Sequence, residues 1–578
     1  MQHRALTIMR RRSMMRFNRL GILAPCFALI VACSAEVAAP DAEAAADAAP
    51  ANKTSPDITG DDLALHISTL ASDAYEGRAP ATPGGEKARA YIADQYTRLG
   101  LKPIGDSFFQ RVPMVEATLN PDTSYFRINS PAGARDLDYK KDVVYWTKRV
   151  EESLAFENTE MVFVGFGVIA PEYGWNDYEG VDVNGKTVVM LVNDPGFATQ
   201  DPDLFNGNAM TYYGRWTYKY EEAARQGAAA AIVIHDTAPA AYGWGVVESS
   251  WSGAQLDLER PDGGAERVIA EGWFSIEAAH ELFDAAGLDL DALGKAATSA
   301  DFKAVAMPGL TASAALNTAI RRSEDANVIG VIEGSQYPDD YVLYMGHWDH
   351  LGVNPATDGD DKIYNGAVDN ATGVAALLEI AEKFANADEP PLRSILFAAV
   401  TAEESGLLGS AYMAEAPPVP LKNIVGGINI DALLPTPPAK DIVVVGYGAS
   451  ELEDLLSAAA ENHDRYLRPD AEPEKGYFYR SDHISLAKKG VPMLYADGGF
   501  DLREGGEEAG KKYGEDYVQN DYHAPSDEYD ASWNMEGMTE MTEILYETGA
   551  AMAYSDVWPN WYEGNEFRAL RDAQRAEP

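Results

Sequence analysis

The sequence predicts an α/β protein: a mostly parallel mixed sheet flanked by helices, with a β-rich body inserted into it. Three observations carry this. Val/Ile/Leu-rich runs alternate with helical periodicity through residues 341–497. Strand-like runs separated by Gly, Asn and Asp turns crowd together between about 156 and 310. Acidic and histidine residues interrupt the apolar runs where they end, in "MGHWD", "AAVTAEES" and "INIDA". The carboxyl ends of strands are where open α/β sheets bind their ligands.

The elements follow in order. Residues 1–32 hold six arginines and no acid, and end in "LGILAPCFALIVA", a basic head and short apolar core that read as a secretory signal peptide. The run is too short for a spanning helix. It passes into "IVACS", which resembles a lipobox with Cys33 as the lipidated residue; Ser34 beside it implies outer-membrane sorting by resemblance to other lipoproteins. Residues 33–56 are rich in Ala, Pro and Asp and lack large apolar side chains, as a flexible tether does. The two cysteines, Cys26 and Cys33, both precede the body, so neither a disulfide framework nor a cysteine zinc site is available to it. The net charge is −45, and −51 without residues 1–32, which excludes nucleic acid as a partner and leaves a lipid anchor as the link to a membrane.

Helices are predicted from Asp61 and over "GGEKARAYIADQYTRLGLKP", where Ala88, Ile92 and Tyr96 share a face and Gly100 stands at the stop. The predicted division is 57–155 for the first part of the main domain, 156–310 for the insert, and 311–578 for the second part with a C-terminal extension. In that second part, strands are expected at 341–347, 394–400, 423–431, 441–446 and 491–497, helices at 370–385, 405–414 and 451–463, and a pocket-shaping loop at 498–521.

His347 and Asp349 follow one apolar run, Glu403 and Glu404 another, and Asp431 a third; Asp369 precedes a helix, and "NDYHAPSDEYD" adds His523 and Asp527. Histidine with carboxylates and no cysteine is the donor set of a hydrolytic zinc or other divalent-metal site. So many acids suit two ions with a bridging carboxylate. Adjacent residues leaving a strand point to different sides. Glu404 can therefore bind metal while Glu403 takes the proton of the attacking water.

"GHWDHLG", "IYNGAVDNATGVAALLEIA", "TAEESGLLGSAY", "INIDAL", "SDHISLAKKGVP" and "YHAPSDEYD" resemble the co-catalytic di-zinc exopeptidase family over roughly 320–550. The resemblance implies two zinc ions per chain: His347 and Asp431 on one, Glu404 and His523 on the other, Asp369 bridging, and Glu403 as general base. It also implies that Asp349 hydrogen-bonds the far nitrogen of His347, and that a cis peptide bond follows Asp349. The insert resembles a protease-associated domain. Its "MTYYGRWTYKYEEA" makes Tyr213, Arg215 and Trp216 candidate peptide contacts, which would close over the site and limit substrate length; Asp482 and His483 of "SDH" join them. The family contains aminopeptidases and glutamate carboxypeptidases. An aminopeptidase acting on peptides in the cell envelope is the first expectation. A carboxypeptidase is the alternative; it needs cations for the substrate carboxylate, for which Arg215, Lys219, Arg480, Arg503, Lys511 and Lys512 are candidates. A receptor-like relative without catalysis is the remote alternative, against which the full ligand set stands.

Overall fold

The computed structural model describes residues 54–357 and 359–576. The signal peptide, Cys33 and most of the tether lie outside the described residues. No helix among the described residues is long and apolar enough to cross a membrane.

Local chemistry sets the first helices. Thr59 accepts the N–H of Asp62 at the start of Gly60–Leu70. Thr82 does the same for Gly85, Pro83 occupies the first turn of Pro83–Leu99, and Gly100, at φ 78°, ends it.

Four parallel strands form the centre of the main sheet, in the order Arg393–Val400, Tyr337–His347, Ile424–Asn429, Met493–Gly498. The end of the strand Val305–Ile332 adds antiparallel on one side and Asp441–Val444 on the other. Both faces are covered, which is why the strands read as continuous apolar runs. Val342, Tyr344, Ile395, Phe397 and Ala399 pack under helices Gly60–Leu70, Pro83–Leu99, Gly373–Ala385 and Glu536–Ala553. The alternate residues Leu343, Met345, Leu396, Ala398 and Val400 pack on the opposite face, against Met413, Ile484 and Trp561. Each large side chain so buried contributes roughly 1.5–3 kcal/mol.

A second sheet forms the inserted body. Its strands Ser153–Phe163, Thr187–Leu191, Ala230–Ile234 and Ala270–Phe274 are parallel neighbours, and Tyr125–Ser130 and Val143–Trp146 join it antiparallel to their partners. This corrects the expected boundaries: the sheet takes in residues 125–146, assigned above to the main domain, and extends to Asn317. Strand pairing decides this, and pairing between distant segments leaves no local trace. A single 28-residue strand, Val305–Ile332, links the bodies. Its first part pairs within the insert, its middle with Phe109–Leu119, and its end with Arg393–Val400. Pro308 and Gly309 lie in the register break between Ala306 and Thr311, where a ladder tolerates them.

A further correction concerns 498–521. Most of this expected loop is the helix Gly506–Asn520, which leads directly into His523.

Candidate metal centre and active site

The parallel register gathers the polar residues. His347 ends the strand Tyr337–His347 opposite Val400, which leads into Glu403 and Glu404. On the other flank Met345 pairs with Asn429, which leads into Asp431. Asp369 comes from the short irregular turn before helix Gly373–Ala385.

Neighbouring side chains hold these groups still. Asp527 accepts the backbone N–H groups of Val368 and Asp369, at 2.9 and 3.1 Å. Asn370 donates to the carbonyl of Ile430 at 3.0 Å and accepts the N–H of Ala432 at 3.0 Å, so it grips the chain on both sides of Asp431. Ser481 donates to Asp431 Oδ2 at 2.5 Å and accepts from Asn429 at 2.8 Å. Gly373 abuts this junction: a Cβ there would lie 2.2 Å from Asn370 Oδ1 and 2.6 Å from the carbonyl of Ile430.

His347 Nε2 lies 3.2 Å from both Asp369 Oδ1 and Asp431 Oδ1. His523 Nε2 lies 3.2 Å from Asp369 Oδ2 and 3.1 Å from Glu404 Oε2. The two oxygens of Asp369 thus face two different imidazoles. Two donors about 2.0–2.1 Å from one tetrahedral ion stand about 3.3 Å apart, so these four separations match the edges of two zinc polyhedra sharing Asp369. The donors are nitrogen and oxygen only, as for catalytic rather than structural zinc. The residues fit the expected metal.

The electrostatics agree. Burial alone would lower the pKa of His347, yet Asp431 and Glu403 hold it well above the ordinary value. His523 is raised to about 10: burial opposes the shift, and contacts with Asp369 and Glu404 outweigh it. Burial pushes Glu403 well above the carboxylate range, and Glu404, Asp431 and Asp482 add to this against the pull of His347. Glu404, although buried beside Asp369, is brought below its ordinary value by His350 and His523. Of the tandem pair, one carboxyl therefore favours the proton and the other favours the charge.

Asp349 departs from expectation. His347 Nδ1 faces the backbone carbonyl of Asp349 at 3.1 Å, with the carboxylate at 3.8 Å. The carbonyl is therefore what holds the proton on Nδ1 and leaves Nε2 free for metal. The Asp349 carboxylate accepts the N–H of Glu403 at 3.1 Å and ties the two strand ends together. The cis peptide bond stands at Asp369–Asn370, not after Asp349.

The candidate substrate contacts separate. Tyr213 donates to Glu172 and Trp216 packs edge-on against Trp251, both within the insert. His483 is fully buried between the rings of Phe478 and Tyr495. Asp482 is fully buried beside the site, and burial pushes its carboxyl to about 7. Arg215 sits where the insert leans on the main domain: Met210 donates to the carbonyl of Pro473, and the Tyr212 ring lies 6.2 Å from that of Tyr479. Next to Tyr479 is Arg480, which precedes Ser481. Neither guanidinium makes a hydrogen bond or ion pair with the described residues. The remaining candidate cations are engaged elsewhere. Lys219 is buried against the carbonyls of Phe166 and Tyr213, Arg503 pairs with Glu540, Lys511 with Glu507, and Lys512 with Asp516.

Two residues were missed in the sequence. Arg78, buried, donates to the carbonyls of Leu70, Trp348, Asn365 and Gly366, clamping the His347 loop to the Asp369 loop. His350, also buried, lies 2.6 Å from Glu404. The histidine of "WDHLG" was visible; what it touches depends on how the loop folds back.

Histidines and carboxylates gathered at the carboxyl ends of parallel strands, around a shared aspartate, define the class: an α/β protein with a candidate metal site of nitrogen and oxygen donors. The family follows from comparison. Residues 327–548 match the model of peptidase family M28. A probable zinc metalloprotease of Pyrenophora teres f. teres (strain 0-1) is 39% identical over 104 residues, 18% of this chain and 22% of the relative. Aminopeptidase NAALADL1 of Mus musculus is 31% identical over 157 residues, 25% of this chain and 19% of the relative. The matches thus span about a fifth of these curated relatives. Among solved structures, the aminopeptidase from Aneurinibacillus sp. strain AM-1 aligns with a TM-score of 0.46 at 18% identity, over 86% of this chain and 94% of that one.

Proposed function

We propose that this chain is a two-zinc aminopeptidase that removes N-terminal residues from peptides. The observation that carries it is the pair of imidazole–carboxylate groups, spaced at 3.1–3.2 Å, that share Asp369. His347 and Asp431 would hold one ion and Glu404 and His523 the other, with Asp369 available to both. Bound there, zinc supplies Lewis acidity, which polarises the scissile carbonyl and acidifies water. Glu403, whose proton affinity is raised by burial and by Glu404, Asp431 and Asp482, would act from its carboxylate form, accept the proton of the attacking water and pass it to the departing amine. The acid-rich surroundings, with Asp482 beside the ligands, suit a free amino terminus, the cationic end of a peptide.

The name of the mouse relative supports the same reading. Arg215 and Arg480 favour a second one, a carboxypeptidase that holds the substrate's terminal carboxylate between them. In both readings the chain is exported, anchored through a lipid on Cys33 at the outer membrane, and carries a protease-associated insert that borders the site.

The test is which end of a peptide shortens. Matched peptides, free or acetylated at the N-terminus and free or amidated at the C-terminus, are incubated with the full chain and mapped by mass spectrometry. Loss from the N-terminus, stopped by acetylation and by a chelator, is expected. Loss from the C-terminus, stopped by amidation, would transfer the assignment to the carboxypeptidase and to the two arginines.

A further inference from the structure

The chain holds 91 acidic against 46 basic residues, so a cation without an anionic partner stands out. Arg215 and Arg480 are two such cations, and they are neighbours. Arg215 belongs to the insert, and its Nε is buried without a hydrogen-bond partner. Arg480 belongs to the main domain and is exposed, its guanidinium 5.2 Å from the ring of Tyr477. Burial and the charge of Arg480 lower Arg215 to about 10 against the pull of Tyr242, which leaves it charged at neutral pH. Both arginines also act on the Tyr242 phenol. Two like charges held together, one of them with a buried and unpaired nitrogen, cost free energy that an anion between them would offset.

The acids along this seam are engaged elsewhere. Glu221 is taken by Lys488 and the Tyr212 hydroxyl, Glu566 by Tyr479 at 2.9 Å, and Glu172 by Tyr213 at 2.6 Å. Arg215 also precedes the helix Trp216–Arg225, which opens with no side-chain cap and no acid in its first turn, so its N-terminal N–H groups add to the positive field. On the other side, Arg480 precedes Ser481, which donates to Asp431 Oδ2. The charge of Arg480 reaches Tyr522, whose ring stacks on His523 with centroids 4.0 Å apart. The pair therefore borders the metal centre without belonging to it.

Resting on the aminopeptidase reading, we propose that Arg215 and Arg480 form a carboxylate subsite that recognises the part of a peptide beyond the scissile bond. The carboxylate is either the free C-terminus of a short peptide or an acidic side chain of a longer one. Guanidinium forks match a carboxylate through paired N–H···O bonds. The acid-rich metal centre takes the amino end of the substrate and the arginines take the carboxylate, so both fix which bond is presented to the metals. The pair thereby sets substrate preference rather than the end at which cleavage occurs. Charge-assisted contacts of this kind are worth about 10–100-fold.

The test compares kcat/KM for release of the N-terminal residue by the zinc-loaded full chain from matched tripeptides: neutral with a free C-terminus, neutral and amidated, and amidated with glutamate at the second or third position. The wild type is expected to favour a carboxylate-bearing peptide over the neutral amide by about 10–100-fold. An advantage of the free acid names the C-terminus as the source; an advantage of the glutamate amides names the side chain. Arg215→Ala and Arg480→Ala are each expected to bring that ratio close to one, and Arg215→Lys, which keeps the charge but not the fork, to retain part of it. Circular dichroism and melting confirm that each variant is folded; Arg480, being exposed, carries the test if Arg215→Ala loosens the seam. Release from the N-terminus with no advantage for any carboxylate, or an advantage that survives in a folded alanine variant, overturns the subsite and leaves the aminopeptidase reading standing. Shortening from the C-terminus overturns that reading and the subsite with it.

Discussion

Replacing Glu403 by glutamine is expected to lower kcat for peptide hydrolysis by on the order of 10³-fold, equivalent to about 4 kcal/mol of transition-state stabilisation. Both zinc ions should remain bound, because the close imidazole–carboxylate contacts of the site involve Asp369, Asp431 and Glu404. Glutamine keeps the shape and loses the proton acceptor. The metal-free variant should also be more stable than the wild type at neutral pH. Burial and the charges of Glu404, Asp431 and Asp482 raise the folded-state pKa of Glu403 above its unfolded value. An acid raised in this way costs stability once pH rises past the unfolded value, and glutamine removes that cost. Activity, zinc content and a urea midpoint, taken on one preparation, check all three outcomes. A variant that is inactive because it has lost zinc would place Glu403 among the ligands.

Replacing Arg78 by alanine is expected to destabilise the main domain by about 3–5 kcal/mol or more. The guanidinium is 1% exposed and satisfies four carbonyls. Alanine removes the donor from the buried carbonyls of Leu70, Trp348 and Asn365, while that of Gly366 keeps the N–H of Ala371, and each orphan costs about 1–3 kcal/mol. Against a total stability of about 5–15 kcal/mol, much of the protein should fail to accumulate in folded form. The damage is directional as well. Trp348 adjoins His347, and Gly366 opens the turn that carries Asp369, so zinc affinity should fall with stability. Arg78→Lys, which keeps the charge but not the planar fork, should fall between the two. Urea unfolding with and without added zinc measures both effects; a midpoint equal to that of the wild type would show that the clamp is not what holds the loops.

These two residues illustrate what a sequence can disclose. Glu403 was legible because a tandem acid at the end of an apolar run is costly unless something compensates it, and the other strand ends supplied histidines and carboxylates. The sheet was legible for a related reason: with both faces covered, Val342 to Met345 and Ile395 to Val400 are apolar throughout. Arg78 was silent because its partners are backbone carbonyls, which every residue has. The helix Gly506–Asn520 was hidden by its glycines, which argue against helix. Gly510 is nonetheless needed there, since a Cβ would lie 2.0 Å from the carbonyl of Phe500. The insert's true start was hidden because "YFRINS" and "VVYW" read as strands without showing which sheet they join. His483 misled in the opposite sense: a histidine in a motif-like segment proved to be packed among aromatic rings, its pKa lowered by burial to about 3.

The central claim is that the strand ends build one site for two ions that share Asp369. Native mass spectrometry of the full chain, titrated with zinc, tests it most directly. The account predicts a species carrying two zinc ions, and a drop below two when Asp369 is changed to asparagine. A wild type that saturates at a single ion, or an Asp369→Asn variant that still binds two, would contradict it.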